Sequence, residues 1–229
     1  MQLNDTAIIG HTGFIGTNMS MVVPADRFSS SNIGEITKKE YKTIYCCAPG
    51  ATKWMINKEP EKDLCNIENL AKIIEKTSCE RFVLFSTIDV MTFKNKVSYG
   101  GNRLAFEEKI QKIYSNVSII RLPGLFGAGL KKNSIFDLQR KRYDFVNLNS
   151  SFQWLYVHRG IDYALTSSPG LHELYTEPIE TLDIAERFFP GSLENCKSKY
   201  RSEYNIIPQS GYFQTKEEVM KDLGVYLDL

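Results

Sequence analysis

Residues Thr6–Gly16 have the sequence TAIIGHTGFIG, and this stretch decides the fold. The apolar run TAIIG at residues 6–10 stops at a glycine and predicts a buried strand that enters a turn. The following segment, FIGTNMSMVV, predicts a short helix. Gly10, Gly13 and Gly16 lie between the two in the form G-x-x-G-x-x-G, in which glycines permit a tight turn, close approach of a pyrophosphate and close helix packing. The stretch therefore predicts a dinucleotide site at the helix N-terminus, with an ordinary glycine-rich turn as the alternative.

The turn supplies a first set of predicted cofactor-binding residues, and the region after the second predicted strand supplies another. The set in the turn is Gly10, Thr12, Gly13, Phe14, Ile15 and Gly16. The second region, RFSSSN, holds Ser31 and Asn32 near Arg27, where many NAD-binding folds carry an acid for the ribose 2′-hydroxyl. Neutral donors beside a cation favour a 2′-phosphate, so NADP is favoured over NAD, and Glu35 keeps the NAD alternative open.

Strands and helices alternate through the first 125 residues. Strands are predicted at residues 41–48, 81–86 and 117–124, and amphipathic or partly apolar helices at residues 61–78 and 103–114. This alternation predicts an α/β protein, a Rossmann-like doubly wound parallel sheet with helices on both faces.

Beyond residue 125 strands and helices no longer alternate regularly. Helices are predicted over residues 177–191 and 215–227, the latter with Thr215 as N-cap and Glu218 three residues on. We therefore divide the chain into an NAD(P)-binding Rossmann-like domain at residues 1–148 and a small C-terminal substrate lobe, residues 149–229, packed on it.

Composition excludes several classes of function. The chain has 229 residues, a net charge of +1, 42% hydrophobic and 24% charged residues, which is typical of a globular protein. A near-neutral charge argues against nucleic acid or a membrane surface as partner. The five cysteines have no metal-binding spacing, so reduced thiols and no metal site are expected. The beginning of the chain is unlike a signal peptide, and a cytoplasmic location is expected.

Four segments resemble the extended short-chain dehydrogenase/reductases, the NAD-dependent epimerase/dehydratase family. GHTGFIG is similar to the family's glycine turn, FVLFSTIDVM to its Ser/Thr-ended strand, SYGGNRLAFEEKI to its Tyr-x-x-x-Lys helix and RLPGLFGAGLKKN to the segment that follows. The similarity covers about the first 135 residues, and FQWLYV and TEPIETLDIAERFFPG resemble the C-terminal part of short members more loosely. The resemblance implies an enzyme that acts on nucleotide-linked sugars, and a possible homodimer.

The resemblance also implies site residues. Tyr99 would relay a proton, Thr87 would orient the reacting oxygen, and Arg103 stands where the family has lysine. Further cofactor neighbours implied by position are Ser86, Ala48, Pro49 and Leu122, besides Tyr99 and Arg103 themselves. Asp89 falls where sugar dehydratases carry a carboxylate, and its alternative role is that of a loop or cap carboxylate.

The Tyr99–Arg103 pair has a physical rationale. A free tyrosine has a pKa of about 10, and a fixed cation nearby lowers it. Spacing of four residues places both side chains on one helix face. Arginine keeps the charge but holds its proton more firmly than lysine. Gly100 and Gly101 weaken the first helical turn and allow cofactor or backbone to approach closely.

These observations predict an NAD(P)-dependent oxidoreductase or epimerase that acts on a nucleotide-linked sugar through a tyrosine proton relay and hydride transfer. They do not separate epimerase, reductase and dehydratase. The alternative is a non-catalytic NAD(P)-binding sensor or partner subunit, which the arginine substitution and the short C-terminal lobe favour.

Overall fold

A computed structural model of the chain describes residues 5–228, and within them nine strands and eight α-helices. The strands are β1 (Thr6–Ile9), β2 (Asp26–Phe28), β3 (Tyr41–Cys46), β4 (Cys79–Thr87), β5 (Val117–Leu122), β6 (Gly124–Phe126), β7 (Ser151–Tyr156), β8 (Gly170–Glu173) and β9 (Pro178–Glu180). The helices are α1 (Phe14–Val22), α2 (Lys53–Ile56), α3 (Pro60–Ile74), α4 (Tyr99–Ile113), α5 (Ser134–Gln139), α6 (Val157–Thr166), α7 (Thr181–Phe188) and α8 (Lys216–Leu227).

Six strands form a parallel sheet in the order β2-β1-β3-β4-β5-β8. All six residues of β5 are buried, as expected for a parallel strand covered on both faces. The strand β1 lies between β2 and β3, so the winding of the chain reverses there, and such a switch point opens a crevice at the carboxyl ends of the strands. The predicted parallel α/β sheet is confirmed.

The predicted elements are found with shifted bounds, and one prediction is wrong. The strands expected at residues 41–48, 81–86 and 117–124 are β3, β4 and β5, and the expected helix at residues 215–227 is α8. Residues 177–191 do not form a single helix, because Pro178–Glu180 pair with β7 as an antiparallel strand before α7 begins. Proline fits the first position of such a short strand, where its missing N–H is tolerated.

The described chain divides into two compact units with separate cores. The first comprises the chain as far as Leu122 together with Ile161–Glu173, and contains the six-stranded sheet. The second comprises Pro123–Gly160 and the chain from Leu174 on, and contains the sheet of β6, β7 and β9. These bounds differ from the boundary predicted after residue 148, because β8 pairs with β5 in the first unit. The division into cofactor domain and substrate lobe stays a prediction.

None of the helices within residues 5–228 is long and apolar enough to cross a membrane.

Candidate functional site

The glycine turn follows β1 at the switch point of the sheet. Gly10 has φ +80°, its N–H donates to the Phe28 carbonyl at 2.8 Å, and a Cβ atom there would lie 2.9 Å from the Ala48 nitrogen. A Cβ atom on Gly16 would overlap the Gly10 carbonyl oxygen. Both positions thus require glycine, because the turn approaches α1 and the end of β3 too closely for any side chain.

The helix α1 begins at Phe14 with Gly13 as its N-cap, and no side chain caps its first turn. The first backbone N–H groups of a helix lack intrahelical partners and attract anions. The structure places the predicted turn residues together at this helix end: Gly10, Thr12, Gly13, Phe14, Ile15 and Gly16. The arrangement fits the pyrophosphate of a dinucleotide, and contact with it stays a prediction.

The loop after β2 is held by its own polar side chains. Asn32 accepts a hydrogen bond from the Ser29 N–H at 2.7 Å and donates to the Arg27 carbonyl at 3.0 Å. The hydroxyls of Ser29 and Ser31 lie 2.8 Å apart, and the exposed Arg27 guanidinium donates to the Ser20 carbonyl at 3.0 Å. Asn32 therefore shapes the loop, while Ser31 and Arg27 are exposed, with the Arg27 guanidinium against α1.

The other predicted neighbours of the cofactor lie at the ends of the central strands. Ala48 and Pro49 follow β3, joined by a cis peptide bond, and Ala48 abuts Gly10. Leu122 ends β5 opposite Thr87, which ends β4. These residues line the carboxyl edge of the sheet, where parallel α/β folds bind ligands.

Tyr99 opens α4, and the start of that helix is tightly fixed. Ser98 caps it by accepting from the Gly101 N–H at 3.2 Å, and the Tyr99 N–H donates to the Asn57 side chain at 2.9 Å. A Cβ atom on Gly100 would overlap the Asp89 carbonyl oxygen. The glycines thus let the segment before α4 pack on its backbone.

Arg103 lies one turn after Tyr99, but its charge is held by Asp63. The guanidinium carbon is 4.6 Å from the centre of the Tyr99 ring. Both guanidinium ends donate to the Asp63 carboxylate, at 2.9 and 3.2 Å, and one also donates to the Gly50 carbonyl. Arg103 and Asp63 are 5% and 9% exposed at their side chains, so this is a buried ion pair. Sequence reasoning missed Asp63, although its place on the buried face of α3 with Ile67 was a signal.

The pKa of Tyr99 is raised above its ordinary value because burial disfavours the phenolate. The Asp89 carboxylate also raises this pKa, while the Arg103 charge, a hydrogen bond with Thr87 and the charge of Lys53 lower it. Burial outweighs the cations, so Tyr99 keeps its proton at neutral pH. The proton-relay role of Tyr99 stays a prediction.

An open pocket of about 290 Å³ lies beside Tyr99. Its lining residues are Lys53, Asn57, Asp89, Thr92, Phe93, Lys94, Asn95, Val97, Ser98, Tyr99 and Gly100. The Thr87 hydroxyl is 3.2 Å from the Asp89 carboxylate, which forms an ion pair with Lys53 at 2.5 Å. The structure thus brings Thr87 and Tyr99 into contact, and their catalytic roles stay predictions. It also places Lys53 at this pocket, a residue that sequence reasoning missed.

A second buried ion pair lies where β4, β5 and α4 meet. Arg121 donates to both oxygens of Glu107, at 2.7 Å for the shortest contact, and to Glu173 at 3.2 Å. The Ser86 hydroxyl also donates to Glu107. Sequence reasoning missed this network, although Arg121 interrupts the apolar strand VSIIRL and Glu107 follows Arg103 by one turn. The role of Ser86 beside the cofactor stays a prediction.

Within residues 5–228, no three His, Cys, Asp or Glu side chains are grouped as metal ligands, and the five cysteines are free.

No protein-family model matches the sequence, and no curated protein matches it. Solved structures of similar fold include dTDP-4-dehydrorhamnose reductase from Bacillus anthracis in complex with NADP, with TM-score 0.68, 15% identity, and 98% of this chain and 99% of that chain covered. A second is UDP-glucose 4-epimerase from Thermotoga maritima with UDP-glucose. Its TM-score is 0.65 and its sequence identity 12%, and the match covers 92% of this chain and 88% of that chain. A third is UDP-N-acetylglucosamine 4-epimerase from Bacillus cereus, with a TM-score of 0.63 and 14% identity. This match covers 96% of this chain and 98% of that chain. The predicted Rossmann-like fold is thereby confirmed.

Proposed function

We propose that this chain is an NAD(P)-dependent oxidoreductase or epimerase of the extended short-chain dehydrogenase class that acts on a nucleotide-linked sugar. One observation carries the proposal: Tyr99, which shares a hydrogen bond with Thr87, lines a pocket at the carboxyl edge of the sheet. The fold shared with a reductase and two epimerases of nucleotide sugars supports it.

The glycine turn and α1 fit the cofactor. Gly10 and Gly16 leave no room for side chains, and the uncapped first turn of α1 would receive the pyrophosphate. Ser31 and Arg27 would receive a 2′-phosphate, so we favour NADP over NAD. When bound, the nicotinamide supplies or accepts the hydride. We propose in addition that the first unit holds the cofactor and that the second contributes to sugar-nucleotide recognition.

Tyr99 would act as the general acid in carbonyl reduction. Its raised pKa keeps the phenol protonated at neutral pH, so it can give its proton to the substrate oxygen. Thr87 would hydrogen-bond the same oxygen and orient it. Arg103 would stabilise the ring from its face while Asp63 holds the guanidinium in place.

Binding and turnover test the proposal with purified protein. Fluorescence titration with NADPH and NADH measures cofactor affinity, and a panel of nucleotide sugars and 4-keto sugars is then followed by absorbance and product mass. We expect tighter binding of NADPH and conversion of at least one substrate. Tyr99→Phe is expected to retain cofactor binding and to lose turnover at least a hundredfold.

Tyr163→Phe is the matched control, since its hydroxyl contacts His172 outside the pocket lining. It should leave turnover within twofold of the unsubstituted protein. Cofactor binding without any conversion would favour the sensor or partner-subunit alternative, and absence of binding would refute the cofactor assignment. Equal turnover by Tyr99→Phe would remove Tyr99 from proton transfer.

A further inference from the structure

A tyrosine that gives up its proton in each turnover must regain one. The Arg103 guanidinium lies 4.6 Å from the centre of the Tyr99 ring, but a guanidinium does not release its proton in proteins. Its charge is also bound by the Asp63 carboxylate and the Gly50 carbonyl. Arg103 therefore cannot return a proton to Tyr99.

Another set of polar groups connects Tyr99 to an exposed lysine. Thr87 shares a hydrogen bond with Tyr99, and its hydroxyl donates to one oxygen of Asp89 at 3.2 Å. The other oxygen of Asp89 accepts from the Lys53 ammonium at 2.5 Å. Lys53, Asp89 and Tyr99 line the same pocket. The four side chains form one continuous hydrogen-bonded series.

The two ends of this series differ in exposure. The Tyr99 residue is 6% exposed, the Asp89 side chain 13% and the Lys53 side chain 45%. The series thus leads from a buried phenol to an ammonium that exchanges protons with water. A lysine, with an ordinary pKa of about 10.4, can lose and regain a proton, as arginine cannot.

We propose that Thr87, Asp89 and Lys53 form a relay that returns a proton from solvent to Tyr99, and this inference rests on the proposed function. After Tyr99 gives its proton to the substrate oxygen, the Thr87 hydroxyl proton passes to the Tyr99 oxygen. Asp89, protonated in passing by Lys53, restores the Thr87 proton, and Lys53 regains one from water. One proton is taken from water in each reduction, and the relay itself carries no oxidation or reduction.

Two hydrogen bonds fix Asp89 next to Thr87. Its own N–H donates to the Thr87 hydroxyl oxygen at 3.2 Å, so Asp89 and Thr87 contact each other twice. The charged or titratable groups that line the pocket together with Asp89 are Lys53 from α2, Lys94 from the loop before α4, and Tyr99. Asp89 and Lys53 act through Thr87, and are positioning residues.

Pre-steady-state kinetics of carbonyl reduction test the relay. The variant Lys53→Met starts with a protonated Tyr99, so we expect a normal first turnover followed by a steady state at least tenfold slower. KM and NADPH affinity should stay within twofold. Lys58→Met is the matched control: Lys58 lies just beyond α2 over the Trp54 ring and not in the pocket lining, and this variant should behave as the unsubstituted protein.

Two further variants test whether Lys53 acts by transferring a proton or only through its positive charge. Lys53→Arg keeps the cation but not a removable proton, so it should remain as slow as Lys53→Met in steady state. Lys53→Ala should be accelerated by added ethylamine in proportion to the amine concentration. Full activity of Lys53→Arg, or no acceleration by amine, would overturn the relay.

The outcomes distinguish this inference from the proposed function. If the unsubstituted protein reduces a nucleotide sugar and Lys53→Met has the same steady-state rate, only the relay is wrong. If the unsubstituted protein does not reduce any nucleotide sugar, both the proposed function and the relay are refuted. A titration without substrate adds a second readout: NMR of labelled tyrosine should show a higher pKa for Tyr99 in Lys53→Met, and an unchanged pKa would contradict the electrostatic coupling of Lys53 to Tyr99.

Discussion

At the scale of single residues, the Arg103–Asp63 pair determines what Arg103 can do. Arg103 and Asp63 can both be buried because each charge compensates the other for its lost hydration. The same pairing fixes α4 against α3 and keeps the guanidinium at the face of the Tyr99 ring. Arginine at this position is therefore held in the core by Asp63, and its contact with a cofactor stays a prediction.

Removing one partner of this pair should destabilise the protein strongly. Asp63→Ala leaves the buried Arg103 charge uncompensated, and we expect the free energy of unfolding to fall by about 3–5 kcal/mol. Adding Arg103→Met to Asp63→Ala should recover part of that loss, since both charges are then gone. Urea unfolding followed by circular dichroism measures each value.

Glu68→Ala is the control for this prediction, because Glu68 lies on the exposed side of the same helix. Its free energy of unfolding should stay within about 0.5 kcal/mol of the unsubstituted protein. An equal, small effect of Asp63→Ala would show that the buried pair contributes no stability.

The candidate site residues that could be predicted from the sequence are those that belong to short local motifs. Gly10, Gly16 and Tyr99 belong to short motifs, and the structure places them at the carboxyl edge of the sheet. Asp63 and Lys53 were missed because their partners lie 40 and 36 positions away in the chain. Only the packing of α3 and of α2 brings these charges to the site, and a local pattern does not encode that packing.

At the scale of elements, the first turn of α4 depends on close backbone packing. Alanine usually stabilises a helix by about 0.5–1 kcal/mol relative to glycine. At Gly100 a Cβ atom would overlap the Asp89 carbonyl oxygen and lie 2.9 Å from the Phe93 Cβ. Gly100→Ala should therefore lower the free energy of unfolding by about 1–3 kcal/mol, because the loop must move.

Gly224→Ala in α8 supplies the comparison. There the new Cβ would meet the Phe188 ring at 3.5 Å, an ordinary contact. We expect this variant to gain about 0.4–1 kcal/mol in urea unfolding. Opposite signs for the two substitutions would confirm the close approach at Gly100, and a gain at both positions would contradict it.

The start of α8 gives a prediction with a pH dependence. Glu218 accepts from the Thr215 N–H at 2.7 Å and from its hydroxyl at 2.9 Å, and these contacts lower the pKa of Glu218 below its ordinary 4.5. A carboxylate with a lowered pKa stabilises the folded state above its unfolded-state pKa, and this contribution is lost as the pH falls through the folded-state value. Glu218→Gln should thus lower the melting temperature at pH 7 and have a smaller effect at pH 3.

Thermal unfolding at both pH values measures the difference, with Glu186→Gln on the exposed surface of α7 as control. Thr215→Ala, which removes the other half of the capping box, should lower the free energy of unfolding by about 1 kcal/mol. A loss for Glu218→Gln that is the same at pH 3 and pH 7 would contradict the assignment.

Elements with strong local signals were predicted well. The helix α3 follows from its apolar spacing and α8 from its capping residues. The strand β9 was missed because its three residues adopt strand structure only through pairing with β7. Short strands have too few residues for alternation to distinguish them from the first turn of a helix.

At the scale of the whole molecule, the first unit is completed by a late segment of the chain. The strand β8 covers the edge of β5. Arg81 donates to the carbonyls of Ala164 and Ser167 at 2.8 and 2.9 Å, and Ser118 donates to the Ser168 carbonyl at 2.8 Å. Arg121 reaches Glu173 in the same segment. The parallel sheet and its polar contacts therefore depend on residues that follow the predicted boundary at 148.

A fragment of residues 1–148 should consequently fail to fold as an independent domain. It lacks β8, leaves the fully buried β5 as an exposed edge and removes the acceptors of Arg81. We expect the fragment to be aggregation-prone and to unfold without a cooperative transition, since an uncovered apolar edge strand favours association. Co-expression with residues 149–229 should restore a soluble complex, because the second fragment supplies β8. Cooperative unfolding of the first fragment alone, with the urea midpoint of the full chain, would show that β8 is dispensable and that the boundary read from the sequence is a true domain boundary.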